Sequence, residues 1–287
     1  MEHDAVFDTV TLCRTENAPA FLPQIDPADA DAEFYQAVTE NDDEFYTVCC
    51  AEEPAGLACI SDEGTDSLLY IYIFAPYRNK GYGSAAAYKA EELLHTPAMR
   101  TVNTFFDSRN EAAVHFAKKC GFVTGYASAC MVYEGEAFSL APLPVRPYTD
   151  SDFAEAFTLS AEAFHQMRLS TGWFPNSTVA APSEETRQHW AETADERFVY
   201  VQEGAIVGYA HIDGAELDTV AVKIAQQGRG YGTAFIQYLV NRILEQTGEP
   251  PFLYCVVGNR ARKLYEKLGF RETACNAYAK KTFSAAE

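Results

Sequence analysis

The stretch QQGRGYGTAF at residues 226–235 has a near copy, YRNKGYGSAA, at residues 77–86. Gly81 and Gly83 correspond to Gly230 and Gly232 at an offset of 149 residues, and a second landmark follows each copy. Ala113 with CGF (120–122) corresponds to Ala261 with LGF (268–270) at an offset of 148. Two landmarks in one order, half a chain apart, predict two homologous domains rather than a solenoid of short repeats. The length of 287 residues suits two domains of ordinary size. The proline-rich stretch APLPVRPYTD (141–150) reads as the linker, so the domains are expected at 1–142 and 143–287.

Periodicity assigns similar elements to both halves. In the second, DSDFAEAFTLSAEAFHQM has a cap signal and helical apolar spacing. RFVYVQEGAIVGYAHIDGAELDTVAV reads as three antiparallel strands joined by Glu-Gly and Asp-Gly turns. After the glycine loop come a helix in TAFIQYLVNRILEQTG, a strand in PFLYCVV, a helix in NRARKLYEKLGF and a last strand near ACNAYAKKTF. The first half follows suit, with its last strand in YASACMVYEG. The expected fold class is α/β (α+β), each domain a mixed sheet flanked by helices.

In both copies a strand ends, glycines alternate with other residues, and a helix begins. Glycine backbone turns sharply with its amides inward, and a helix start adds unpaired N–H groups and a positive dipole end, so the loop is a socket for phosphate or diphosphate. No Lys-Ser/Thr pair follows as in a P-loop, and the spacing is not Gly-x-Gly-x-x-Gly.

Arg78-Asn-Lys-Gly81-Tyr-Gly83 and Gln227-Gly-Arg-Gly230-Tyr-Gly232, followed by ARKLYEKLGF, resemble the two landmarks of the GNAT superfamily of N-acetyltransferases. The resemblance covers the chain from end to end, in a tandem layout similar to that of mycothiol synthase. It implies two GNAT domains, each a mostly antiparallel mixed sheet with splayed fourth and fifth strands, and acetyl-CoA (coenzyme A) as cofactor. The implied cofactor contacts are Val220 and Val222 on the fourth strand, Gln227, Gly228, Arg229, Gly230, Tyr231, Gly232 and Thr233 in the loop, and Asn259. In the first domain they are Arg78, Lys80, Gly81, Gly83 and Ser84. Two departures stand out. The Asn that opens the second landmark falls one place late at Asn259, and Ile224 replaces the proline that Pro76 supplies in the first loop.

An amine attacking a thioester must lose a proton, and the leaving thiolate gains from a nearby acid. Tyr265 stands where similar enzymes place the phenol that protonates the coenzyme A sulfur. Glu216 and Asp218 differ by two and so share one face of a strand; Glu216 stands where histone-type members carry their base, and Asp218 is the reserve candidate. In the first half the matching residues are Ala117, Ser67 and Leu69. The second domain is therefore expected to be catalytic and the first degenerate. The expected activity is acetyl transfer to a small-molecule or peptide amine by direct attack, the alternative being a non-catalytic acyl-CoA-binding or sensing protein.

Other residues leave alternatives open. His211 and Asp213 are exposed hairpin residues or line the substrate end, and His115 reads as a helix-surface residue. His165, Met167, Arg168, Trp173 and Phe174 fall where related folds build the acceptor pocket, although core packing also explains Trp173 and Phe174. The eight cysteines show no Cys-x-x-Cys spacing and read as reduced, mostly buried thiols, with no metal site expected. Up to residue 142 there are 8 Lys and Arg against 23 Asp and Glu, and after it 14 against 18, so the halves carry −15 and −4. Such acidity disfavours nucleic acid and anionic membrane as partners. It favours a cationic small molecule or basic peptide, or serves solubility alone. MEHDAVFDTV lacks the basic start and apolar core of a secretion signal, and no run approaches a membrane span, so a cytoplasmic protein is expected. Oligomeric state is not read from the sequence.

Overall fold

Strands such as RFVYV, apolar at nearly every position, call for a sheet covered on both faces, because alternate side chains point opposite ways. The computed structural model, which describes residues 2–62, 64–94, 96 and 99–283, has this arrangement. The chain divides into two compact units, one of residues 1–127 with 276–287 and one of residues 128–275.

The first unit runs α1 (Glu2–Thr9), β1 (Val10–Thr15), α2 (Ala32–Glu40), β2 (Glu44–Cys50), β3 (Glu53–Asp62), β4 (Asp66–Ile73), α3 (Tyr82–Leu94), β5 (Thr101–Asp107) and α4 (Glu111–Lys119). β6 (Val123–Tyr133) then leads into the second unit. That unit continues β7 (Val145–Pro147), α5 (Phe153–Thr171), α6 (Glu184–Glu192), β8 (Arg197–Gln202), β9 (Ala205–Asp213), β10 (Glu216–Val222), α7 (Tyr231–Thr247), β11 (Phe252–Val256) and α8 (Arg262–Leu268). β12 (Phe270–Thr282) closes the chain. β1, α1, α2 and α6 lie in stretches to which the sequence pattern assigned no element. Among the described residues, no helix is long and apolar enough to cross a membrane.

β8 shows how the sheet is covered. Val199 and Val201 pack with Phe153, Leu159 and Trp190 of α5 and α6 on one face. On the other face Phe198 meets Tyr238, and Tyr200 meets Phe235, both rings of α7. Glycines in the left-handed region end the long helices: Gly172 (φ 79°) bonds back to Leu169, and Gly248 (φ 71°) to Leu244.

Each unit has a mixed sheet in which the fourth strand runs parallel to the fifth, β4 with β5 and β10 with β11. Both pairs part early. β4 and β5 pair over Asp66↔Thr101, Ser67↔Val102 and Leu68↔Asn103, whereas β10 and β11 pair at Glu216↔Phe252 alone. The splay implied by the family resemblance is present in both units.

The compact units cross the boundary expected near residue 142. Residues 276–282 of β12 pair antiparallel with β5 in the first unit, and residues 128–132 of β6 pair with β11 in the second. The closing strand of each sequence repeat thus completes the sheet built by the other repeat, an internal strand exchange. Nor is the 141–150 stretch a bare linker: Val145–Pro147 pairs with Tyr200–Phe198 of β8. Just before it, Phe138 exchanges two hydrogen bonds with the Asn241 side chain of α7.

Residues 1–142 expressed alone lack β12 and leave an edge of β5 unpaired. Amide exchange across Thr101–Asp107 in that fragment is expected to be at least about tenfold faster than in the full chain, as for a frayed edge. Equal protection in both would mean that β5 does not depend on β12, the fragment's own β6 standing in for it.

Candidate functional site

The opening between β10 and β11 is set by backbone geometry. Lys223 donates to the Val207 carbonyl of β9, so residues 219, 221 and 223 turn their backbone groups toward β9. Alternation then turns those of Val220 and Val222 away from β9, into the gap. The Val222 carbonyl is taken by Gln227 Nε2 at 3.0 Å. Arg78 Nε makes the same bond in the first unit, to the Ile73 carbonyl at 2.8 Å. The leading Arg or Gln of each loop thus clips the loop back onto its own strand.

Beyond that clip the second loop turns through Gly228 (φ 76°) and Gly230 (φ 91°) into α7. Among the described residues, no hydrogen-bond acceptor serves the backbone amides from Gly228 to Thr233; the next amide, Ala234, bonds to Gly230. A Cβ placed on Gly228 or Gly230 would meet no atom within 4 Å. Six amides at a helix start with open ground in front of them suit a diphosphate. Gly232, by contrast, faces Val222 and Leu264 of α8 at 3.7 Å, which brings α8 to the loop. Asn259 spends its Oδ1 on the Ala261 amide at the start of α8.

The first loop presents free amides too, but its ground is taken. A Cβ on Gly81 would lie 3.5 Å from Val6 Cγ1 of α1, and one on Gly83 would lie 3.0 Å from the Phe116 ring. Arg78 is paired with Asp29 at 2.5 Å and lies over the Tyr72 ring. Lys80 is exposed, 5.6 Å from the Tyr77 ring centre, and Ser84 lies in the first turn of α3.

Tyr265 sits half-buried on α8, edge-on to Phe270 at 5.8 Å. Burial, and next the neighbouring Cys255 of β11, push its phenol above the ordinary tyrosine value, so its proton is held firmly. In the first unit Ala117 is buried at the matching position. Ser67, the counterpart of Glu216, is buried and donates to Met99 Sδ at 3.7 Å.

The two carboxylates of β10 have different surroundings. A bulge between Glu216 and Thr219 interrupts the ladder there. Leu217, 3 % exposed, turns into the core, and Glu216 and Asp218 stay off that side. Burial first, then the charges of Asp218 and Asp213, raise the Glu216 carboxyl above the ordinary range. Asp218 is lowered, first by its hydrogen bond to His211, then by Thr219 and the nearby Arg197 charge.

His211 is not a turn residue. It lies within β9 opposite Thr219, its side chain 13 % exposed, with Nδ1 2.9 Å from Asp218 and Nε2 3.3 Å from Glu196. Both contacts are hydrogen bonds only for the doubly protonated ring. Asp213 is exposed at the hairpin, and His115 is exposed on α4. Arg197, which the sequence pattern did not single out, is 3 % exposed. It is held by the Tyr209 hydroxyl, by Thr193 and by the Trp190 ring face at 4.9 Å.

The residues after α5 meet the end of β11. Trp173, 36 % exposed, donates to the Val257 carbonyl at 3.1 Å, and Gly258 abuts Thr171. His165 meets Ser177 at 3.2 Å. Met167 and Phe174 are half-buried, and Arg168 is exposed. The eight cysteines are less buried than expected: Cys59, Cys255 and Cys275 are buried and Cys13 is exposed.

A model of the acetyltransferase (GNAT) family matches residues 10–122, and one of an acetyltransferase (GNAT) domain matches residues 162–283. A search of the curated proteins returns no match. Among solved structures, a GCN5-related N-acetyltransferase from Sphaerobacter thermophilus aligns over 96 % of both chains at 17 % identity, TM-score 0.64. A tandem GNAT protein from the clavulanic acid biosynthesis pathway aligns over 97 % of this chain and 100 % of its own at 12 % identity, TM-score 0.58. A GNAT-family acetyltransferase from Colwellia psychrerythraea aligns over 96 % and 99 % at 12 % identity, TM-score 0.55. At these identities the likeness is one of fold.

Side-chain carboxyl carbon titrations in the full chain are expected to place the Glu216 midpoint above and the Asp218 midpoint below ordinary carboxylate values. His211→Gln removes a positive neighbour of both, so both midpoints move up, Asp218 by more. An unmoved Asp218 would mean that His211 does not hold it down.

Proposed function

The chain belongs to the acetyltransferase (GNAT) family, and from that premise we propose that its second unit moves the acetyl group of acetyl-CoA to an amine by direct attack. What carries the choice of unit is the asymmetry of the clefts. The second keeps a protonated phenol, a carboxylate of raised proton affinity and an open amide cradle; the first has Ala117, a buried Ser67 and a filled loop. The family resemblance also implies contacts at Arg78, Lys80, Gly81, Gly83 and Ser84; the open ground at Gly228 and Gly230 favours the second loop.

Bound acetyl-CoA supplies an acetyl thioester. Amides 228–233 hold its diphosphate, and Val220 offers a backbone N–H and C=O to the arm lying in the gap. Glu216 takes the proton from the acceptor's ammonium, because its carboxylate binds a proton more strongly than Asp218, which His211 and Arg197 already neutralise. Tyr265 keeps a proton on Oη for the departing sulfur. Trp173 and His165 border the acceptor side. The acceptor class is an amine, from small molecule or peptide.

Tyr265→Phe is expected to lower kcat by about 10²-fold or more with little change in the KM for acetyl-CoA, the usual scale for losing a positioned acid. In Glu216→Gln the rising limb of kcat/KM against pH, which lies above the ordinary carboxylate range, disappears. Gly230→Ala forces a left-handed backbone on a residue with a Cβ and is expected to weaken acetyl-CoA binding roughly tenfold. The measurement is release of free thiol with and without candidate amines. Tight acetyl-CoA binding with no amine-dependent release would replace this reading with an acyl-CoA sensor.

A further inference from the structure

The register of the two sheets matches three positions that the repeats fill differently. In the first unit Phe45 of β2 stands opposite Cys59 of β3, and Cys59 opposite Tyr70 of β4, next to Leu69. In the second, Arg197 of β8 stands opposite His211 of β9, and His211 opposite Thr219 of β10, next to Asp218. Phe45, Cys59 and Leu69 are each 2 % exposed or less. One repeat thus carries an uncharged, buried set where the other carries Arg197, His211 and Asp218. The first unit shows that such a sheet holds together without charges at these places, and charged groups there carry a desolvation cost that apolar side chains avoid. The charged set therefore answers a need other than folding.

The direction of the Asp218 side chain shows what that need is. β9 and β11 flank β10 on opposite edges. Glu216 stands at the Glu216↔Phe252 pair, where the gap between β10 and β11 begins, and Asp218 lies two residues further along, level with the open gap. The β10 ladder bulges between Glu216 and Thr219, whereas β4 pairs with β3 in unbroken register from Leu68 to Ile73, and a bulge re-aims the side chains it carries. The Asp218 carboxylate reaches toward β9: its Oδ2 meets His211 Nδ1 at 2.9 Å and accepts from Thr219 Oγ1 at 3.0 Å. Its side chain is 49 % exposed, so these bonds rather than packing fix the direction. His211 is anchored in turn by Nε2, 3.3 Å from Glu196 in the turn before β8. Charged groups meet the ring from both flanking strands, Glu196 and Arg197 on the β8 side, Asp218 and at longer range Glu216 on β10.

We propose that His211 is a positioning residue that selects the base: by bridging Glu196 and Asp218 it holds the Asp218 carboxylate on the β9 side of β10, so that Glu216 alone is presented to the acceptor. The proposal rests on the reading of the second unit as the acetyl-transfer site with Glu216 as base. His211 touches neither cofactor nor acceptor in this scheme. Without it, Asp218 is free to turn toward the gap and take the acceptor's proton in place of Glu216.

A double-mutant cycle on the full chain tests it, with thiol release from acetyl-CoA as readout and n-butylamine as the acceptor probe. Glu216→Gln is expected to lower kcat/KM about 10²-fold in the otherwise native chain, the usual scale for a general base. In a His211→Ala background the same change should cost less than about tenfold, because Asp218 takes over. The double variant should regain a rising limb in its pH profile, at lower pH than that of the native chain, since Thr219 and Arg197 still favour the Asp218 carboxylate once His211, its strongest restraint, is gone. Adding Asp218→Asn should abolish that limb. His211→Lys keeps a cation beside Asp218 and should behave as the native chain does. A histidine that only braced the sheet would lower the unfolding midpoint without restoring a limb, and His211→Asn, uncharged and closer in size, is read in the same way if His211→Ala does not fold. An equal cost of Glu216→Gln in both backgrounds overturns the proposal while leaving Glu216 as the base. No cost in either background, or no amine-dependent release at all, overturns the assignment of Glu216 and this proposal with it.

Discussion

Two neighbouring parallel strands that stop pairing create the problem around which each unit is organised. Once β10 and β11 part after Glu216↔Phe252, the gap-side backbone groups of β10 face no strand. An unmet buried amide or carbonyl costs on the order of 1–3 kcal/mol, so such a gap persists only if something else meets these groups. Part of the answer is internal: Gln227 and Arg78 each return a side-chain N–H to the last carbonyl of the fourth strand. The clip satisfies the strand end and at the same time fixes the loop that starts the next helix. Strand separation, loop conformation and six free amides are therefore one feature, and the backbone groups of Val220 are left facing the gap.

The electrostatics of the second unit follow from a buried cation. Arg197, 3 % exposed, would carry a desolvation penalty of several kcal/mol if left bare. The Trp190 face, the Tyr209 hydroxyl and Thr193 offset part of it, and Asp218 supplies the nearby negative charge. Asp218 is committed first to His211, which also reaches Glu196, and only then to Arg197. Glu216, two residues away, is left with burial and two negative neighbours, which is why its carboxyl moves the other way. Two acids on one strand acquire different proton affinities because only Asp218 hydrogen-bonds to the histidine and feels the buried arginine, whereas burial dominates at Glu216.

The parts of this arrangement governed by local spacing were legible in the sequence. The glycine pairs, the Gly-Phe landmark and the alternating strands depend on neighbours a few residues away, and the elements they predict are present. The strand exchange was not legible, because β6 and β12 come from homologous repeats and either could complete either sheet; local pattern does not choose between them. His211 lies two residues before the Asp213-Gly214 turn signal, which marks it as a hairpin residue, whereas its two-residue spacing from Tyr209 fits the strand in which it lies. Arg197 opens an apolar strand and reads as a solvated end; only the rings packed over it make it a core residue.

A single position divides the two units chemically. Where the second repeat has Tyr265, the first has Ala117, and the exchange of a phenol for a methyl group does two things. It removes the proton donor that would face a leaving sulfur, and it leaves a void between parted strands. A void walled only by rings could stay dry and empty. The exchange of a phenol for a methyl group at this one position thus sets both the chemistry and the space between the fourth and fifth strands of the first unit.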